Sequence, residues 1–530
     1  MMAFDLMTRR SALAGGAATI AASILPVRAQ AQAPSSSPID AIVQPFLAAS
    51  DAPGVAIAIV RPDAAPVTRG YGVRRLGDPA KVDADTLFAI ASNSKSFVGA
   101  SLGMLVEEGK LAWDAPVVKY MPDFRMSEDS ATQMTTVRDL LCHRSGLPLG
   151  AGDLMQFPMS DHSRADILRG LQYLPLARGF RSGYAYDNIL YVVAGMLVER
   201  VSNMPWESFL TRRLLQPLGM RTAVARRDLV RTDNIVARHA RLGPPARGLG
   251  PIEVVEADES LAGSPAGGIN ASANDIVAWL STQLGHGVTP GGQRLWSEAT
   301  AKEMWTPQII TSSTTGPSAD SPTRGVMSGY ALGWGIGDYR GHRLISHSGG
   351  LSGQITQTAL LPEQGIGVAV FTNTEDGVSG QIRNAILDHL IAAPPYDWLA
   401  AWKRAQARND AQIRELAGTG DFPAPAGGPS LSLKFYTGRY RDPWYGDIAI
   451  LERDGRLAID FTRTPVFKSV LEPFGPDAFR TRFAKGAGED AVVSFVIEKG
   501  VPVRLKLRAL SPNADFSYDF HDLTPVRVKG

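Results

Sequence analysis

Residues 86–109, TLFAIASNSKSFVGASLGMLVEEG, constrain the fold more than any other stretch. They open on a short apolar segment, 87–91, readable as a buried strand or as a lead-in. They continue as a helix in which Phe97, Ala100, Leu102, Met104, Leu105 and Val106 give a broad apolar face, with Gly109 as its stop. At the junction stands Ser92-Asn93-Ser94-Lys95, the only Ser-x-x-Lys in the chain. Residues three apart share a helix face, so the Ser92 hydroxyl and the Lys95 amine can meet. A serine is a poor nucleophile until its proton is taken, and a desolvated lysine can take it. The helix's positive end would favour negative charge developing there. The alternative is that Ser92 is an N-cap and Lys95 a solvated first-turn residue. The rest of the chain has to decide between the two.

At 530 residues the chain exceeds one ordinary core, and two domains are expected. Apolar residues at 44% and charged residues at 20% fit a globular protein. A net charge of +2 makes no case for nucleic acid or an anionic membrane as partner. The lone Cys142 cannot close an internal disulfide, and with eight scattered histidines no metal-type spacing arises. Thr8-Arg9-Arg10-Ser11, an apolar run at 12–25 and Val27-Arg28-Ala29 read as an export signal of twin-arginine type spanning 1–31. That predicts a periplasmic or secreted bacterial protein. The apolar run is too short and too rich in Ala and Gly to span a membrane, so no span is expected after cleavage.

The next signals follow in order. A helix is predicted at 39–49 and a β-rich run at 54–60, with 67–73 returning beside it. A short helix at 136–141 ends in the turn-rich Cys142-His143-Arg144-Ser145-Gly146-Leu147, read as a structural loop. Tyr184-Ala185-Tyr186-Asp187-Asn188 stands at the mouth of an apolar helix, 189–201. There a phenol can shuttle a proton, and an amide two residues on can hold a substrate carbonyl or a lysine. Residues 223–268 read as a loop-rich insertion. Ser272-Ala273-Asn274-Asp275 is a capping-box-like start to a helix at 276–284. Strands of one antiparallel sheet are predicted at 330–336, 343–347, 354–361 and 367–372. His347-Ser348-Gly349-Gly350 falls between two of them, and its glycines let backbone approach a ligand closely.

Together, Ser92-x-x-Lys95, Tyr186-x-Asn188 and His347-Ser348-Gly349 resemble the motif series of class C β-lactamases and the related DD-peptidases and esterases. The phrases LLCHRSGLP at 140–148, Ala266-Gly267-Gly268 and Phe371-Thr372-Asn373 match as well. The resemblance covers about 39–391. It implies an α/β fold: an antiparallel sheet flanked by helices plus a helical lobe, with the site between them. Carried over, Ser92 is the acylated nucleophile, and Lys95 and Tyr186 activate it. Asn188, His347, Ser348, Gly349 and Gly350 bind substrate, and the N–H groups of Ser92 and Gly350 form the oxyanion hole. Many β-lactamases carry Lys-Thr-Gly where this chain has His347-Ser348-Gly349, which favours a peptidase, amidase or esterase. No Gly-x-Ser-x-Gly elbow is present, so the ordinary α/β-hydrolase reading fails.

Beyond 391, a charged helix at 396–416 and a linker, DFPAPAGGPS at 421–430, make a connector over 392–430. Few contacts are expected across it, so the two parts should fold separately. Strand-like alternation at 436–440, 447–451, 457–461, 491–497 and 503–510 resembles the small lipocalin-like β-barrel appended to such hydrolases, here 431–528, and no catalytic set stands out in it. The expected protein is a serine hydrolase forming an acyl-enzyme, without metal or cofactor. Its substrate is an amide or ester: a D-amino-acid-containing peptide, a β-lactam or a short ester. The alternative is a penicillin-binding sensor or scaffold that acylates with little turnover. The sequence leaves the oligomeric state open.

Overall fold

The computed structural model describes residues 37–243, 246–319, 321–418, 422 and 424–529, so the export signal expected at 1–31 lies outside the described residues. Helix α1, Pro38–Ser50, starts on a capping box. The Ser37 hydroxyl accepts from the chain ahead of it, and Asp40 accepts from the Ser37 N–H. Strand β1, Gly54–Val60, is buried on both faces, and its alternation divides two cores. Val55, Ile57 and Ile59 pack with α1 and with a later helix, α5 (Val378–Leu390). Ala56 and Ala58 join the larger cluster that holds Phe97 and Trp279.

Among the described residues the central sheet has eight antiparallel strands. With β2 (Val67–Gly72), β3 (Ile309–Ser313), β4 (Met327–Tyr330), β5 (Gly335–Tyr339), β6 (His342–Leu351), β7 (Gln354–Leu361) and β8 (Ile366–Thr372), the order is β2-β1-β8-β7-β6-β5-β4-β3. Helices α2 (Ser94–Glu107), α3 (Ile189–Ser202) and α4 (Ala273–Leu284) form the inner layer and helical lobe. The cap predicted for α4 is present: the Ser272 hydroxyl accepts from the Asp275 N–H and Asp275 accepts from the Ser272 N–H, both at 3.1 Å.

Three local expectations change. The single strand predicted at 330–336 is two, because a turn in which the Ala331 N–H donates to the Trp334 carbonyl buries Trp334 between them. His347–Gly350 does not lie between strands but inside β6; the chain reverses later, at Ser352-Gly353, where Gly353 takes φ +74°. The helix predicted at 136–141 shrinks to one 3₁₀ turn, Arg138–Leu140. Its Asp139 carboxylate turns back to the Thr136 N–H and hydroxyl and pairs with Arg144 and Arg181. The described residues of the insertion at 223–268 are loop-rich, with a small hairpin, Arg238–Arg241 against Ile252–Val255.

Past α6 (Trp398–Ala417), nine described strands make a second antiparallel sheet. They are β9 (Gly438–Asp442), β10 (Gly446–Arg453), β11 (Arg456–Phe461), β12 (Lys468–Val470), β13 (Glu472–Pro473), β14 (Ala478–Arg480), β15 (Ala491–Glu498), β16 (Val501–Ala509) and β17 (Val526–Arg527). The order is β12-β11-β10-β9-β17-β16-β15-β14-β13, and only Leu471 separates the two edge strands in sequence, so the sheet is a nearly closed barrel. The five strands expected from alternation are all present. The other four are two or three residues long, too short to show a period.

The expectation of two parts with few contacts between them is overturned. Apolar residues of both parts, such as Leu154 and Ile189 with Phe461 and Phe520, belong to one contiguous buried cluster. Asp519 of the barrel accepts from the N–H groups of Gly152 (2.7 Å) and Leu154 (3.1 Å). Arg463 pairs with Asp161 and Asp166, and Lys485 with Glu253 at 2.6 Å. Phe422, within the supposed linker, packs on Phe474, Val492 and Leu510. Polar composition marks a segment without an internal core, but it does not prevent its few apolar residues from docking. Full-length protein is therefore expected to unfold in one transition when followed by far-UV circular dichroism and by tryptophan fluorescence. Asp519→Ala, which strips two buried N–H groups of their acceptor, should lower stability by about 2–5 kcal/mol in urea titration. Two separated transitions in the parent would contradict the shared core.

Candidate active site

The chain enters the site through Phe88–Ala89, a two-residue strand paired with Asn270–Ala271. A 3₁₀ turn, Ala91–Asn93, then leads into α2. Ala91 has φ +49°, a left-handed conformation that a side chain resists at a cost of order 1–3 kcal/mol. The surrounding structure imposes it. Along β7, residues two apart face the same side, and Gln354, Thr356 and Thr358 all reach this turn. Gln354 donates to the Ala89 carbonyl (2.6 Å), Thr356 to that of Ile90 (2.9 Å) and Thr358 to the Asn93 side chain (2.6 Å). β6 presses on the turn as well. A Cβ on Gly349 would sit 2.4 Å from the Ile90 carbonyl oxygen and 2.8 Å from the Ala91 Cβ, so glycine is required for that approach.

Ser92, on this turn, opens to a cleft, while Lys95 one helical step on is fully buried. The Lys95 amine lies 3.0 Å from Ser92 Oγ, 2.7 Å from Asn188 Oδ1 and 2.8 Å from the Ala266 carbonyl oxygen. The last two are acceptors only. They take two amine hydrogens and leave the third tetrahedral position aimed at Ser92. Burial lowers the Lys95 pKa to about 7, although Asp153 and Asp187 pull it upward. The solvated-lysine alternative is thus excluded by the packing.

Tyr186, at the mouth of α3, reaches the Ser92 hydroxyl with its phenol, and its ring lies 4.9 Å from the Lys95 amine. Burial raises that phenol well above its ordinary range, so it stays protonated and acts as a donor. Asn188 was expected to contact substrate or a lysine; here its oxygen accepts from Lys95 and its Nδ2 donates to Asp153 at 2.8 Å. Asp153 also accepts from Gln156 (2.9 Å) and from Ser517 (2.9 Å). Burial pushes its carboxyl up to about 7, against those hydrogen bonds and Lys95.

His347 sits on β6 with Nδ1 2.6 Å from the Ser348 carbonyl oxygen and Nε2 2.7 Å from the Tyr330 hydroxyl. The carbonyl can only accept, so Nδ1 carries the hydrogen and Nε2 accepts from Tyr330. Burial, then the neighbouring Lys95, drives its pKa down to about 3, so the imidazole is neutral. Ser348 and Gly350 face the cleft, and a Cβ at Gly350 would meet nothing within 4 Å. β5 pairs with β6 only as far as Ser346, so the 347–351 edge is open towards the cleft on that side.

Six of the eight sequence-predicted residues line one cleft of about 1020 Å³, while Lys95 and Gly349 are buried behind it against the Ser92 turn. Its outer walls include Phe157, Tyr184, Trp402, Ile413, Phe516 and Tyr518, the last two from the barrel. Sequence reasoning missed Asp153, Tyr330 and Ser517 as parts of the site. Asp153 lies among Gly150 and Gly152, both at positive φ, in a turn with no periodic signal. His143, read as structural, is fully buried, with its ring 4.2 Å from that of Tyr186.

Residues 39–393 match the family described as Beta-lactamase, and residues 423–526 match a domain of unknown function, DUF3471. The unguisins hydrolase ungD' of Aspergillus campestris (strain IBT 28561) is 29% identical over 423 residues, 75% of this chain and 74% of that protein. The octameric penicillin-binding protein homologue from Pyrococcus abyssi superposes with a TM-score of 0.55 at 20% identity, covering 92% of this chain and 99% of that one. The D-amino acid amidase from Ochrobactrum anthropi SV3 gives a TM-score of 0.55 at 23% identity, over 67% of this chain and 99% of its own. At these identities the two structures attest the fold. Gly349→Ala should push β6 off the Ser92 turn and lower turnover about 100-fold, as misplacements near 1 Å do, while circular dichroism stays unchanged. Full activity in that variant would show that the close approach is not needed.

Proposed function

The chain belongs to the beta-lactamase family and is a serine hydrolase, and on that premise we propose that Ser92 is acylated by an amide or ester of a D-amino-acid-containing peptide. The observation that carries this reading is the buried Lys95 amine, 3.0 Å from Ser92 Oγ and brought close to neutrality by burial. Lys95 takes the Ser92 proton as Oγ attacks the carbonyl carbon. The Tyr186 phenol donates to the leaving amine or alcohol and recovers its proton from Lys95. Water then attacks the acyl-enzyme and Ser92 regains its hydrogen. Backbone N–H groups at Ser92 and Gly350 stabilise the oxyanion.

Two features support a peptide over a dedicated β-lactam substrate. The neutral His347 supplies no fixed cation for a carboxylate where many β-lactamases have lysine. A cleft of about 1020 Å³ stands at the upper end of small-molecule sites and leaves room for several residues. The names of two relatives, an unguisins hydrolase and a D-amino acid amidase, support hydrolysis and, for the second, an amide of a D-amino acid. The arginine pair at Arg9-Arg10 supports work outside the cytoplasm, in the periplasm or medium. Among the described residues no helix is long and apolar enough to cross a membrane.

Mass spectrometry with D- and L-peptides, short esters and a β-lactam tests the reading. An adduct on Ser92 that clears with D-peptide turnover is expected, and Ser92→Ala should form none. An adduct that persists with every compound would instead favour the acylating sensor. Because Lys95 must be neutral to accept the proton, kcat/KM should rise with pH through about 7 and then level off. A flat profile from pH 5 to 9 would remove Lys95 as the base.

A further inference from the structure

The barrel supplies a link in the hydrogen-bond chain that ends at the nucleophile. Ser517, 364 residues from Asp153 in sequence and buried in the interface, donates to Asp153 Oδ2 at 2.9 Å. Asp153 accepts from Asn188 Nδ2 at 2.8 Å, and Asn188 Oδ1 accepts from Lys95 at 2.7 Å. Two residues on, Asp519 clamps the N–H groups of Gly152 and Leu154 on either side of Asp153. One residue back, the Phe516 ring meets Tyr186 edge-on, with centroids 5.9 Å apart. One barrel segment therefore grips the side chain of Asp153, the backbone around it and the proton donor Tyr186.

We propose that Ser517 is a positioning residue for the reaction, holding Lys95 on Ser92 through Asp153 and Asn188, so that the catalytic site is complete only with the barrel docked. The inference rests on Ser92 and Lys95 acting as nucleophile and base. Without the Ser517 hydroxyl, the Asp153 carboxylate loses one of three donors and is held only by Gln156 on Oδ1 and Asn188 on Oδ2. Asn188 then donates to an acceptor held less firmly, and its oxygen is held less firmly towards Lys95. The ionisable groups facing this pair are Asp187, Tyr186 and Tyr191 around α3, His143 on the preceding loop, His347 on β6 and Asp519 on the barrel. Ser517 itself does not titrate, so its removal acts on them only through Asp153. With one donor fewer, Asp153 keeps its proton to higher pH and supports the Lys95 ammonium less. Lys95 then stays neutral to lower pH.

The experiment follows the pH dependence of labelling by an alkyl fluorophosphonate on full-length protein. Labelling forms the Ser92 Oγ–P bond, breaks P–F and passes the hydroxyl proton to Lys95. Ser517→Ala is expected to slow labelling about 10-fold and to move its acid limb to lower pH, while Ser517→Thr, which keeps the hydroxyl, restores both. In an Asp153→Asn background, Ser517→Ala should add little, because its effect passes through Asp153. Should the alanine variant prove insoluble, Ser517→Cys, a weak donor of similar size, gives the same comparison. An unshifted limb at an unchanged rate, or full additivity with Asp153→Asn, overturns the positioning role. Parent protein that labels elsewhere than Ser92, or not at all, overturns the serine-hydrolase assignment instead, so the two failures are distinct.

Discussion

The burial of one amine organises this molecule. Lys95 has no exposure to solvent, and an ammonium removed from water is costly unless it is paired or loses its charge. The chain partly does both. Asn188 and the Ala266 carbonyl come from the start of α3 and from the turn before α4, and each must arrive in register for the amine to be satisfied. Asp153 and Asp187 add negative potential without contacting the amine. The result is an amine balanced near neutrality and directed at the Ser92 hydroxyl.

That balance extends into the second domain. An appended barrel joined through a Pro- and Gly-rich segment has the look of an independent module. Here its apolar residues merge with the catalytic core, and its 516–519 segment closes one side of the cleft. Buried carboxyls at Asp153 and Asp519 face each other across the junction, each pushed upward by burial. The backbone N–H groups and hydroxyl that Asp519 and Asp153 engage keep such a polar interface satisfied. Separation of the two parts would expose all of these groups at once.

The other side of the cleft is set by neutrality. His347 is held by Tyr330 and the Ser348 carbonyl, beside a lysine that further opposes its protonation. At this position the site therefore offers an open strand edge beside a neutral imidazole. Recognition by the open β6 edge suits an extended peptide backbone, which brings its own donors and acceptors to a strand.

The sequence alone determined the family, the antiparallel-sheet class, a barrel after residue 430, and the three polar clusters of the site. Each leaves a local mark: a helix face three residues apart, a capped helix mouth, a glycine pair, a two-residue alternation. What depended on partners distant in the chain was settled only in three dimensions. Ser-x-x-Lys fits an exposed cap as readily as a buried dyad, and only packing removed water from Lys95. His347 carries no sign in sequence of the Tyr330 hydroxyl that donates to its Nε2. Asp153 and Ser517 lie 364 residues apart, in turns without periodicity, and the polar linker between their domains suggested independence. Hydrogen bonds between such segments have no local signature, because their energy depends on where two turns meet and not on the composition of either.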